Sequence, residues 1–93
     1  MTMKLFITLD HIEELCEDIN VLKYGQITDS LVAIAPLLDV VNSEQANIIK
    51  DRLIGIRHKI DVFLLSEAVS KEQRDYYTGI IEGIYKIIAY ILA

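Results

Sequence analysis

Five carboxylates in two short patterns are the residues whose type and spacing could support chemistry. Glu13-Glu14-x-x-Glu17 is followed, far along the chain, by Glu72-x-x-Asp75. Residues four apart share one face of an α-helix, so Glu13 and Glu17 could share Mg²⁺, a cation that prefers oxygen ligands. The same acids would also form the solvated outer face of an amphipathic helix, which is the interpretation we favour.

The EExxE pattern with a downstream ExxD resembles the Mg²⁺-ligand set of the MazG-type all-α nucleotide pyrophosphatases. The resemblance implies a small Mg²⁺-dependent hydrolase using Glu13, Glu14 and Glu17. It covers only these residues, and the interval between the two patterns is much longer than in that family. We keep this hydrolase as the alternative and predict no catalytic residue, no metal site and no cofactor.

The histidines and the single cysteine do not form a recognisable site in the sequence. His11 and Cys16 are five residues apart, so they do not share a helix face cleanly, and His58 stands alone beside Arg57. A zinc site needs three or four converging ligands. Cys16 lies in an apolar stripe, where we expect it to be buried as a small apolar residue. A lone cysteine also favours a reducing compartment, so we predict a cytoplasmic protein.

Charge and hydropathy limit the classes of partner. The net charge is −5 and hydrophobic residues make up 53% of the 93-residue chain. The acidic balance disfavours nucleic-acid binding and adsorption to anionic lipid, because both need clustered Lys and Arg. The apolar tail 79–93 is too short to span a bilayer and contains Glu82 and Lys86. The apolar surplus predicts a further interface, and we favour a homodimer.

The pattern of apolar residues predicts one all-α domain over residues 1–93, a small bundle of three to five helices. Residues 3–7 could be a strand or the first turn of a helix, and we favour the helix because one helical stripe continues through Leu5, Leu9, Ile12, Cys16 and Ile19. Asp10 with Glu13 suggests a helix start at Asp10 instead. Gly25 is the expected end of this first helix. A second helix should open at Thr28 or Asp29 and be buried nearly all round over 31–41, with a kink or, preferably, a break at Pro36.

Two apolar ladders predict a long C-terminal antiparallel hairpin of helices. The first should run from about 43 to 67 behind an N-cap at Asn42 or Ser43, and the second from about 71 behind a Ser70–Gln73 capping box. Gly79 and Gly83, four apart on the second, are either tolerated or permit close helix approach. The two ladders contain the following residues: Ala46, Ile49, Leu53, Ile56, Ile60 and Phe63, then Tyr77, Ile80, Ile84, Ile87 and Ile91.

The last helix has more apolar surface than one neighbouring helix can cover, and it is rimmed by tyrosines. We therefore predict a dimer interface on this helix. It comprises the following residues: Tyr77, Ile81, Ile84, Tyr85, Ile88 and Ile91. A second predicted surface, for an unidentified protein partner, is the acidic face of the first helix. It comprises the following residues: Glu13, Glu14, Glu17 and Asp18.

These features favour a non-enzymatic protein–protein interaction module, most simply a small bacterial or phage regulator or inhibitor. The small size, the acidity and the lack of a catalytic signature are typical of that class. A helical DNA-binding module is the third class, and it is disfavoured because Asp51 and Asp61 dilute the basic group of residues 50–59.

Overall fold

The computed structural model describes residues 2–17, 24–65 and 69–92. Four α-helices fill most of these ranges: α1 (Thr2–Glu17), α2 (Tyr24–Ile34), α3 (Ser43–Leu64) and α4 (Lys71–Leu92), with a 3₁₀ helix (Ala35–Val40) after α2. No strand occurs in the described ranges. The prediction of a small all-α bundle is therefore confirmed.

The first helix begins earlier than its capping pattern indicated. α1 starts at Thr2 and continues through Asp10, so the favoured helix over 3–7 is confirmed, whereas the strand over 3–7 and the helix start at Asp10 are wrong. Leu5 and Leu9 are fully buried on the same stripe as Ile12. Burying these two leucines extends the helix toward the N-terminus, because a continuous helix keeps all three side chains on one face.

The second helix also begins before the predicted N-caps. α2 starts at Tyr24 and includes Gly25 in its first turn, so Gly25 does not end the first helix, and Thr28 and Asp29 lie inside α2. The expected burial all round residues 31–41 is wrong as well. Val32 is 67% exposed, because α2 packs at the edge of the bundle and its outer side has no neighbouring helix in the described chain.

Pro36 breaks the second helix, which confirms the prediction of a break rather than a kink. α-Helical hydrogen bonding ends at Ile34, and the chain continues as the 3₁₀ helix with Pro36 in its first turn. A proline in the interior of an α-helix would remove one hydrogen bond and clash with the carbonyl of Val32. In the first turn of a new helix its missing N–H costs nothing.

Side-chain caps set the starts of α3 and α4. The Asn42 side chain accepts from the Gln45 N–H at 2.8 Å, and the Gln45 side chain accepts from the Asn42 N–H at 3.1 Å. Ser70 and Gln73 make the same reciprocal pair at 3.2 and 3.1 Å. Each pair satisfies two N–H groups that the helix start leaves unpaired. Both predicted starts are confirmed, whereas α3 ends at Leu64 rather than near 67.

The core lies where the predicted ladders meet the apolar stripes of α1 and α2. Its fully buried side chains are the following: Leu5, Leu9, Ile12, Ile27, Ile34, Ile49, Leu53, Ile56, Ile60, Tyr77 and Ile84. Phe63 meets Tyr77 edge to face at 5.1 Å, and Arg57 lies over Tyr85. These two pairs show that α3 and α4 run antiparallel, as the hairpin prediction requires.

Candidate functional site

A row of ion pairs joins α1 to α3. Arg52 donates from Nε to Glu13 Oε1 at 3.0 Å and from Nη2 to Asp10 Oδ1, while Lys59 Nζ donates to Glu17 Oε1. The pairs advance together along both helices, so α1 and α3 run in the same direction. The hydrogen bond to Glu13, followed by that to Asp10, raises the pKa of Arg52 despite partial desolvation. The hydrogen bond to Glu17 likewise raises the pKa of Lys59.

These ion pairs change the interpretation of the predicted acidic partner surface. Glu13 and Glu17 already pair with cations of the same chain, so they are not available as an unpaired acidic face. Glu14 is exposed, and Asp18 lies outside the described residues. Asp10 and Arg52 belong to the same row but were not predicted, because nothing in the sequence specifies that α1 packs beside α3.

The acids of the hydrolase-like pattern lie apart in the fold. Among the described residues, no three Asp, Glu, His or Cys side chains gather as a metal site would require. Glu72 and Asp75 border a shallow depression with Tyr76, whereas Glu17 borders another with Cys16 and His58. The Glu13–Glu14–Glu17 face therefore does not meet Glu72 and Asp75 at one pocket. The predicted burial of Cys16 is confirmed, since its side chain is 5% exposed.

The predicted dimer interface on α4 is only partly at the surface. Tyr77 and Ile84 are fully buried, so their assignment to an interface is corrected: they form the contact of α4 with the core. Tyr85 is 48% exposed, but Arg57 donates to its hydroxyl and lies 5.6 Å from the ring centroid. The other three predicted interface residues, Ile81, Ile88 and Ile91, are half-buried against the core. The surplus apolar surface of α4 is thus smaller on this side than the sequence suggested.

An apolar groove lies on another side of α4, between α2 and α4. This groove has a volume of about 450 Å³ and is lined by the following residues: Thr28, Leu31, Val32, Ala35, Tyr76, Gly79, Ile80, Gly83 and Ile87. A Cβ built at Gly79 or Gly83 would meet nothing within 4 Å, so the groove has room for a side chain at either position. The glycines therefore do not serve close helix packing within the described chain.

The groove offers binding rather than acid–base chemistry. None of the described residues that line it carries a carboxylate, imidazole, ammonium or guanidinium group. Val32 is 67% and Tyr76 47% exposed at its edge, so apolar surface reaches solvent there. The sequence pointed to this site only through the glycine spacing, since the contribution of α2 depends on tertiary packing.

No helix in the described ranges is both long and apolar enough to cross a bilayer. The chain matches no family model, no curated protein and no solved structure.

Proposed function

We propose that this protein is a non-enzymatic helical interaction module, a small bacterial or phage regulator or inhibitor. It would bind a partner protein through helical surfaces and work as a homodimer in the cytoplasm. The observation that carries this proposal is the open apolar groove between α2 and α4, with exposed Val32 and Tyr76 at its edge.

A helix of another chain fits the chemistry of this groove. Amphipathic helices dock by placing an apolar stripe into such a groove, and the affinity comes from the apolar area removed from water. Gly79 and Gly83 expose bare helix backbone at the groove, so an incoming helix could approach α4 closely. Most of the described lining is apolar, which suits an apolar helix face better than a polar substrate.

Filling the groove tests the proposal. Gly83→Leu adds a side chain into open space on α4, and Gly55→Leu adds the same side chain into open space on α3, away from the groove. Tagged wild-type protein and both tagged variants serve as bait, first in host lysate and then with an untagged copy of the protein. The wild type and Gly55→Leu should each retain at least one protein that Gly83→Leu does not retain. Circular dichroism should show both variants folded.

Capture that is identical for both variants, or no capture by the wild type, would contradict the proposed function. Hydrolysis of a nucleoside triphosphate by the wild type with Mg²⁺, abolished by Glu14→Gln, would support the hydrolase instead.

A further inference from the structure

The outward side of α4 beside the groove carries a stripe of residues arranged symmetrically along the helix. The stripe steps by threes and fours and consists of Glu72, Tyr76, Gly79, Gly83, Lys86 and Tyr90. All are exposed except Gly83, which is half-buried. An antiparallel copy centred on residue 81 would place Gly79 opposite Gly83 and Tyr76 opposite Lys86. Glu72 would lie opposite Tyr90, whose hydroxyl donates to Asp39 of its own chain.

An antiparallel pairing would place small residues against small ones at its centre. Gly79 of one copy would lie opposite Gly83 of the other, on both sides of a two-fold axis near residue 81. Neither glycine meets any neighbour of its own chain at the position a Cβ would occupy. Two helices that meet at glycines can approach more closely than at larger residues, which increases the van der Waals contact along the stripe.

Between the centre and each end of the stripe, the antiparallel direction also brings opposite charges together. Lys86 would lie opposite Tyr76 of the other copy, with Asp75 beside it, and an ammonium over an aromatic ring near a carboxylate is favourable. A parallel pairing would instead bring Glu72 against Glu72 and Lys86 against Lys86, which costs free energy. No ion pair within the described chain engages Lys86 or Asp75.

We infer that the groove between α2 and α4 is occupied by α4 of a second copy of this chain, which runs antiparallel to the first α4. The inference rests on the proposed function, since it names the partner of the same groove. Each α4 then lies in the groove of the other copy, and the two-fold symmetry makes the contact the same for both.

Association of the purified protein is the first test. Sedimentation velocity should show a dimer at about 100 μM protein, a concentration that would reveal even a weak homodimer. Gly83→Leu should weaken the dimer at least about tenfold, because the added side chain holds the two helices apart. Gly55→Leu, the matched control on α3, should leave the dissociation constant unchanged.

A charge exchange tests the register. Lys86→Glu and Asp75→Lys should each weaken the dimer about three- to tenfold, since each places like charges at the contact between position 86 of one copy and position 75 of the other. The double variant restores the opposite-charge contact, so its dissociation constant should return close to that of the wild type. If the double variant instead raised the dissociation constant by the product of the two single effects, the proposed register would be wrong.

Cross-linking tests the direction of the helices. In a Cys16→Ala background, chains with Tyr76→Cys and chains with Lys86→Cys should form a mixed disulfide. Two copies of position 76 would lie about 15 Å apart along an antiparallel pair, given about 1.5 Å rise per residue. A disulfide needs Cα atoms within about 7 Å. Self-cross-linking of the Tyr76→Cys chain would therefore overturn the antiparallel arrangement.

A wild-type chain that stays monomeric at about 100 μM would overturn the second-copy inference. Loss of a different captured protein in Gly83→Leu would, in that case, leave the interaction module standing with another partner, but without the homodimer. If the groove variants affected neither capture nor association, both the inference and the proposed function would fail.

Discussion

A substitution at Tyr77 tests whether the apolar ladder of α4 belongs to the core or to an interface. Its side chain is fully buried and meets Phe63 edge to face, with ring centroids 5.1 Å apart. Removing a large aromatic side chain from a packed core costs about 3–5 kcal/mol, because apolar burial is lost and a cavity remains. Of that loss, the pair with Phe63 accounts for about 0.5–1.5 kcal/mol beyond area burial.

Tyr77→Ala should therefore remove a large part of the free energy of unfolding, which for a small domain is about 5–15 kcal/mol. The midpoint of thermal unfolding should fall by about 12–40 °C, since about 1 kcal/mol shifts it by about 4–8 °C in a domain of this size. Urea titration followed by circular dichroism, repeated at two protein concentrations, measures the loss independently of association. Tyr77→Leu, a smaller truncation, extends the series if the alanine variant does not fold.

Tyr85→Ala is the matched control. Tyr85 is 48% exposed, so its truncation loses about half as much apolar burial together with the Arg57 hydrogen bond and cation–π contact, and the expected cost is about 1–2 kcal/mol. A double-mutant cycle between positions 63 and 77 should give a coupling of about 0.5–1.5 kcal/mol. The reasoning would be refuted if Tyr77→Ala destabilised the chain no more than Tyr85→Ala and instead weakened self-association.

Three further perturbations probe the caps, the helix surface and the ion-pair row. Asn42→Ala should lower the free energy of unfolding by about 1 kcal/mol in a urea titration, because the first turn of α3 loses its cap; no change would mean that this cap does not contribute. Gly55→Ala should raise the free energy of unfolding by up to about 1 kcal/mol, since alanine favours helix and its Cβ meets open space. A lower free energy of unfolding would indicate a contact at that surface. The pKa of Lys59 is raised when folded, so its pair with Glu17 stabilises the chain fully below the unfolded pKa of about 10.4 and is lost as the pH rises through the folded pKa. Above pH about 10.4 the wild type should lose up to about 1 kcal/mol more stability than Lys59→Met, and equal losses would contradict the pairing.

The C-terminal hairpin was predictable because its determinants are local. The caps at Asn42 and Ser70 are closed by glutamines three residues later, and the ladders repeat at the helical period. Such signals act over one or two turns, so they are readable without knowing what packs against the helix. Even Pro36, whose ring affects only the turn before it, marked the break correctly.

The N-terminal half was less predictable because competing local signals were decided by burial. Asp10 has the sequence context of a cap, yet Leu5 and Leu9 before it are buried, and their burial outweighs the cap by drawing the helix back to Thr2. A cap contributes about 1 kcal/mol, whereas burying two leucines contributes about 3–6 kcal/mol.

The candidate site depended still more on tertiary packing. The spacing of Gly79 and Gly83 was visible in the sequence, but α2 forms the other side of the groove through pairing that no local pattern specifies. The sequence likewise predicted a free acidic face at Glu13 and Glu17. In the structure α3 packs beside α1, so Arg52 pairs with Glu13 and Lys59 pairs with Glu17.

The sequence alone determined the all-α class, the two capped helices of the hairpin and the break at Pro36, because hydrogen bonds and sterics within a few residues control these features. Only the tertiary structure decided which apolar and charged side chains remain available to another molecule. Availability depends on which helices become neighbours, and that is set by the packing of the whole chain. The tertiary structure assigns Tyr77 to the core, pairs Glu13 with Arg52 and leaves the groove beside Gly79 and Gly83 open.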